Sequence, residues 1–104
     1  METHALDEAL WNECLGRPRF LRQGGEFSLL AFCVDVDQRL PEEGYARHGG
    51  AEAFVLLSGM ISIGTRSGLQ DIQAGSVTII EAGEDHYTLN RSGKSAMLVS
   101  FGLP

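Results

Sequence analysis

The sequence predicts an all-β chain, a small double-stranded β-helix or jelly roll with one short N-terminal helix. Three observations carry that reading. From residue 27 onward the apolar residues recur every second position and not at helical spacing. Short runs of this kind are separated at close intervals by Ser-Gly, Ala-Gly and Gly-Gly pairs, the punctuation of a sandwich or barrel. The chain also carries 13 glycines in 104 residues, more than average composition supplies, so many tight turns are expected.

Each element follows in order. Residues 4–15 (HALDEALWNECL) place Leu6, Ala9, Leu10 and Cys14 at helical spacing, with Thr3 as the cap and Gly16 and Pro18 as the stop. Residues 27–34 are apolar at almost every position, which predicts a strand covered on both faces, and the polar stretch Asp35 to Gly44 ends it. Residues 45–48 and 52–58 read as strands broken by Gly49-Gly50, and Ser58-Gly59 turns the chain into 60–66. Ser67-Gly68 leads to a short piece over 69–72, Ala74-Gly75 to 76–81, and the tight turn 82–85 to 86–90. Arg91 to Lys94 is expected to close a hairpin with 95–101.

Length leaves room for one core, so residues 1–104 are read as one domain. A net charge of -6 with 8 scattered basic residues argues against nucleic acid, whose binders need clustered Lys and Arg. No stretch approaches the roughly 20 apolar residues that span a bilayer, and the first residues lack a signal-peptide pattern. The expectation is therefore a cytoplasmic protein without a membrane partner. Cys14 and Cys33 lack metal-type spacing and read as small buried apolar residues in a reducing compartment.

Two glycine-punctuated segments each hold one histidine. In the first, His48 is followed by Glu52 and then Gly59; in the second, Gly75 is followed by Glu81, Gly83, His86 and Asn90. These spacings resemble the two motifs of the cupin superfamily, G-x5-H-x-H-x3-4-E-x6-G and G-x5-P-x-G-x2-H-x3-N. The second fits at Gly75, Gly83, His86 and Asn90, with Glu81 where the family has proline. The first fits at His48, Glu52 and Gly59, with Ala46 in place of its first histidine and Leu40 in place of its leading glycine. Residues 44–101 fall within the resemblance. It implies a cupin barrel, a metal held by three histidines and a glutamate of which one histidine is missing here, and a homodimer. The apolar run Phe27 to Val34 could supply the dimer contact.

Strand alternation places Ala46 with His48, Glu52 with Phe54 and Leu56, and His86 with Thr88 and Asn90, each set on one face. If all three faces look inward, two imidazoles and a carboxylate converge among apolar groups, a set that calls for a cation. His48, Glu52 and His86 are thus the candidate ligands of one divalent metal ion. Two His and one carboxylate suit non-haem Fe(II), and Zn, Ni or Mn accept the same donors. The expected function is a metal-dependent enzyme of dioxygenase or isomerase type acting on a small molecule. The alternative is a non-enzymatic ligand-binding or sensing barrel with a degenerate site, the reading that Ala46 favours. Glu81 is the nearest candidate acid or base, with its direction undetermined. Asn90 is read as a structural residue of the turn, Tyr87 as facing away from the pocket, His4 as solvent-facing, and Arg47 and Arg91 as solvated or at the rim. Substrate and metal identity are not legible from the residues.

Overall fold

The computed structural model describes all residues from Met1 to Pro104. The chain forms α1 (Glu8–Cys14) followed by nine strands: β1 (Pro18–Arg22), β2 (Ser28–Val34), β3 (Arg39–Leu40), β4 (Glu52–Ser58), β5 (Met60–Thr65), β6 (Gly68–Gln73), β7 (Val77–Ile80), β8 (His86–Leu89) and β9 (Ala96–Gly102). Every strand pairing is antiparallel. A five-stranded sheet runs β1-β2-β9-β4-β7 and a four-stranded sheet runs β3-β8-β5-β6. The two close on each other as a double-stranded β-helix.

Period-two alternation decides what goes inside. The first sheet sends Phe32, Val34, Phe54, Leu56, Ile80, Ala96 and Leu98 into the core, and the second sends Ile61, Ile63 and Ile72. The alternate residues of β2, Ala31 and Cys33, point out of the barrel and are roofed by Leu10 and Cys14 of α1. That is why β2 is apolar on both faces: one serves the barrel and the other the helix. Ala31 and Cys33 are therefore covered within the chain, and β1 and β9 occupy both edges of the strand. This part of the run is not free for a dimer contact.

The helix is shorter than the sequence suggested, and Asp7, not Thr3, caps it, its carboxylate accepting from the Leu10 N–H at 3.1 Å. Another turn toward residue 4 would bury nothing, because Leu6 remains exposed. Two strands were not foreseen. β1 is an exposed edge with Pro18 at its first position, where a missing N–H costs no ladder bond. β3 is only two residues long inside a polar stretch. Residues 45–48 are not a strand: Gly44 adopts φ 72°, Gly49-Gly50 follows, and only Ala46 bridges to His86.

Residues 91–94 do not close a hairpin, because β8 and β9 belong to different sheets. The chain crosses between them around Asn90, which is fully buried. Its Nδ2 donates to the carbonyls of Val34 at 3.0 Å and Lys94 at 2.7 Å. Its Oδ1 accepts from Ser92 N at 3.0 Å and Ser92 Oγ at 2.8 Å. On the outside of the four-stranded sheet, Tyr87 lies across Gly64, where a Cβ would overlap the phenol ring. Tyr87 accordingly faces away from the pocket, as alternation required. Cys14 and Cys33 are both buried thiols, and burial raises the pKa of each. No helix is long and apolar enough to cross a membrane.

Candidate metal centre

Three elements bring the candidate donors together. Glu52 is the first residue of β4, in register with Ile80 on one side and Gly102 on the other. His86 is the first residue of β8. His48 lies on the loop between β3 and β4, and that loop is stitched to the start of β8. Ala46 N–H donates to the His86 carbonyl at 2.7 Å and His86 N–H to the Ala46 carbonyl at 3.0 Å. The His48 carbonyl accepts from Gly83 N–H at 2.9 Å.

Side chains outside the barrel hold the same loop. Arg39 donates to the carbonyls of Pro41 at 2.7 Å and Gly44 at 3.0 Å while stacking over Tyr87. Tyr45 meets Tyr87 edge-on, and Arg66 lies over the Tyr45 ring at 3.9 Å. Arg47 and Arg66 donate to the two oxygens of Asp85 at 2.7 and 3.0 Å. These hydrogen bonds, Arg47 first, hold the Asp85 carboxyl below its ordinary range, and Asp85 in turn raises Arg47. Each ring of the histidine pair thus has a neighbour in this clamp: Arg47 precedes His48 and Asp85 precedes His86.

The result is that His48, Glu52 and His86 each offer one donor atom, and the three atoms lie within 4.8 Å of one another. His86 is buried, Glu52 half-buried and His48 exposed. His86 Nδ1 is 3.0 Å from the Glu84 carbonyl; with the proton assigned to that nitrogen, Nε2 is left as the free lone pair. His48 Nε2 stands 3.7 Å from Glu52 Oε2, too far for a hydrogen bond, and the two imidazole centroids are 5.1 Å apart. Donors at about 2.0–2.2 Å from a shared ion lie roughly 3–3.6 Å apart. The 3.7 Å between His48 and Glu52 is slightly longer, and the solvent-facing His48 ring has freedom to close it. Two imidazoles, one of them already oriented through Nδ1 on the Glu84 carbonyl, and a carboxylate fit a divalent ion.

The donors open into a cavity of about 310 Å³ whose walls include Phe32, Phe54, Leu30 and Leu98, with Pro18, Pro41 and Ala46 completing its lining beside Thr88 and Ser100. A larger hollow of about 610 Å³ lies elsewhere, between the N-terminal residues and the outer face of the five-stranded sheet, and contains none of the three donors. Glu81 does not line the donor cavity and is exposed, so the candidate acid or base of the sequence reading points to solvent. Arg91 pairs with Asp71 at 3.1 Å, also outside the cavity. Thr88 lines the cavity beside His86, on the face that alternation gave it, whereas Ser100 was missed from sequence; its signal was there, an inward-phase hydroxyl in an otherwise apolar strand.

Solved structures share this architecture. A conserved Cupin 2 barrel domain protein from Salinispora arenicola superposes with a TM-score of 0.77 at 19% identity, covering 100% of this chain and 89% of that one. In fold, the chain is a small cupin. A Klebsiella pneumoniae protein with a double-stranded β-helix domain gives 0.79 at 15% identity, covering 99% and 91%. The Cupin_2 domain of an XRE family transcriptional regulator from Enterobacter cloacae gives 0.73 at 12% identity, covering 84% and 94%. No family model matches the sequence, and no curated protein does. At these identities the likeness concerns the cupin barrel alone, and what the site does rests on its own residues.

Proposed function

We propose that this cupin binds one divalent metal ion through His48, Glu52 and His86 and acts as a metal-dependent enzyme on a small molecule. The observation that carries the reading is the convergence of His48 and Glu52 with the chain-distant His86 on one side of an apolar cavity. A divalent ion there supplies Lewis-acid polarisation of an anionic or carbonyl oxygen. The chain's own residues divide the remaining tasks. His86, fixed through Nδ1 on the Glu84 carbonyl, presents an oriented lone pair. Glu52 brings the one carboxylate, which offsets part of the ion's charge and leaves a site near +1 that attracts an anionic group. Phe32, Phe54 and Leu98 give the body of the ligand an apolar wall.

A second reading has a specific observation behind it. No ionisable side chain other than the three donors lines the cavity, so the chain offers no separate general acid or base there. This favours a barrel that binds a small molecule and signals by a change in contacts, a role that the regulator-borne domain from Enterobacter cloacae makes natural for this architecture. The two readings part in one experiment. The chain, loaded in turn with Fe(II), Zn, Ni or Mn, is incubated with a panel of small carboxylates and keto compounds while oxygen uptake and product spectra are followed. Turnover that a chelator abolishes supports the enzyme; saturable binding with no product under every metal supports the sensor.

A further inference from the structure

Resting on the metal reading above, we infer that the cavity takes a ligand with a single chelating anionic head and an apolar body carrying one hydrogen-bonding group for Ser100, and that it discriminates against dicarboxylate and phosphorylated compounds. The first observation is where the cations are. None of the 8 Lys and Arg side chains lines the cavity. Arg39 is committed to backbone carbonyls and the Tyr87 ring, Arg47 and Arg66 to Asp85, Arg91 to Asp71, and Arg19 to Glu13. A second anionic group on a ligand would leave water for apolar walls without a partner. Only the end beside the donors can accept negative charge.

The second observation is Ser100, which is 6% exposed and lines the cavity. It stands on the inner face of β9, in register with Leu30 of β2 and Phe54 of β4. Its hydroxyl enters none of the side-chain hydrogen bonds of the chain, yet no fully enclosed side-chain oxygen or nitrogen lacks a partner. The hydroxyl therefore opens onto the cavity, a polar atom set among apolar walls and free to bond a ligand. In depth it lies two residue pairs further along the strands than Glu52, which is in register with Gly102. Head at the donors and polar atom at Ser100 are thus separate requirements on one molecule. At about 310 Å³ the cavity is at the small end of ligand sites, which restricts the body to a compact apolar group such as one ring.

The test uses 2-oxo acids as probes. The chain is loaded with Co(II), the metal content is fixed by elemental analysis, and calorimetry then measures phenylpyruvate, 4-hydroxyphenylpyruvate and 2-oxoglutarate. Phenylpyruvate is expected to bind at least tenfold tighter than 2-oxoglutarate, and the hydroxylated probe tighter again. Ser100→Ala is expected to erase the hydroxyl's advantage while leaving metal content and phenylpyruvate affinity unchanged. Leu40→Arg, which puts a cation on the cavity lining, is expected to raise 2-oxoglutarate affinity at least fivefold. Equal or tighter binding of 2-oxoglutarate by the native chain, no binding of any probe, or a hydroxyl advantage that survives Ser100→Ala would overturn the inference. A chain that takes up no Co(II) refutes the centre itself, and with it the chelating head, before any organic probe is added.

Discussion

The backbones of Ala46 and His86 exchange two hydrogen bonds, at 2.7 and 3.0 Å, and this one residue pair sets His48 beside His86. The loop that carries His48 has no strand of its own, so the bridge and the Arg47–Asp85–Arg66 clamp are what fix it. Asp85→Asn removes the charge that both arginines bind. Metal affinity, measured by competition with a chelating dye, is expected to fall by roughly 10–100-fold, the usual cost of losing an outer-shell partner. Unchanged affinity would mean that the backbone bridge suffices alone.

Asn90 ties the crossing between sheets through four hydrogen bonds, two of them to the carbonyls of Val34 and Lys94. Asn90→Ala leaves those buried groups unpaired and opens a void, so a loss of about 2–4 kcal/mol is expected in urea denaturation. A loss below about 1 kcal/mol would show that the turn holds without it.

Asp71 accepts from Ser62 Oγ at 2.6 Å and from Arg91 at 3.1 Å, and these bonds, Ser62 first, hold its carboxyl below the ordinary value of 3.8. A carboxyl whose pKa is lower in the folded than in the unfolded chain stabilises the fold above its unfolded pKa, and that contribution fades as pH falls through the folded value. Asp71→Asn is therefore expected to lower Tm at neutral pH, with the difference from the native chain closing only as pH falls below the ordinary value of 3.8. A gap that stays constant down to pH 2 would assign the effect to something other than the charge.

How much of this was legible in the sequence depends on which physical signal each part uses. The strands from 52 onward followed from alternation and glycine turns, because their inward residues share one core. The donors followed from motif spacing, since a side chain's face is fixed by its phase in the strand. What was not legible depends on partners distant in the chain. The 91–94 turn has the same residues whether the chain returns in its own sheet or crosses to the other, and only Asn90's bond to Val34 distinguishes the two. β1 has little alternation to detect because it is exposed on both faces apart from Leu21. The apolar excess of β2 marked a covering element, and over Ala31 and Cys33 that element is α1.

The dimer that the motif resemblance implied is expected to form on a different surface. On the outer face of the five-stranded sheet, Val77, Val55 and Val99 stand in one row, and Ile79, Ala53, Phe101 and Leu29 in the next. Val77 and Ile79 are each 64% exposed. The charges in these rows lie only at the far edge, on Arg19 and Arg22 of β1, so the centre of the face is apolar. Light scattering at tens of micromolar is expected to give twice the chain mass, and Val77→Lys with Ile79→Lys the chain mass alone. A native monomer, or a dimer that survives both lysines, would contradict this face.

The most direct measurement is metal stoichiometry. The chain is purified without a histidine tag, each divalent ion is supplied singly, and bound metal is counted by elemental analysis for the native protein and for His48→Ala, Glu52→Ala and His86→Ala. One ion per chain is expected for the native protein, with affinity lost in each variant by more than the roughly 100-fold that an outer-shell change costs. The buried His86 is expected to matter at least as much as the exposed His48. No stoichiometric ion in the native chain, or an ion retained undiminished after Glu52→Ala and His86→Ala, would contradict the centre.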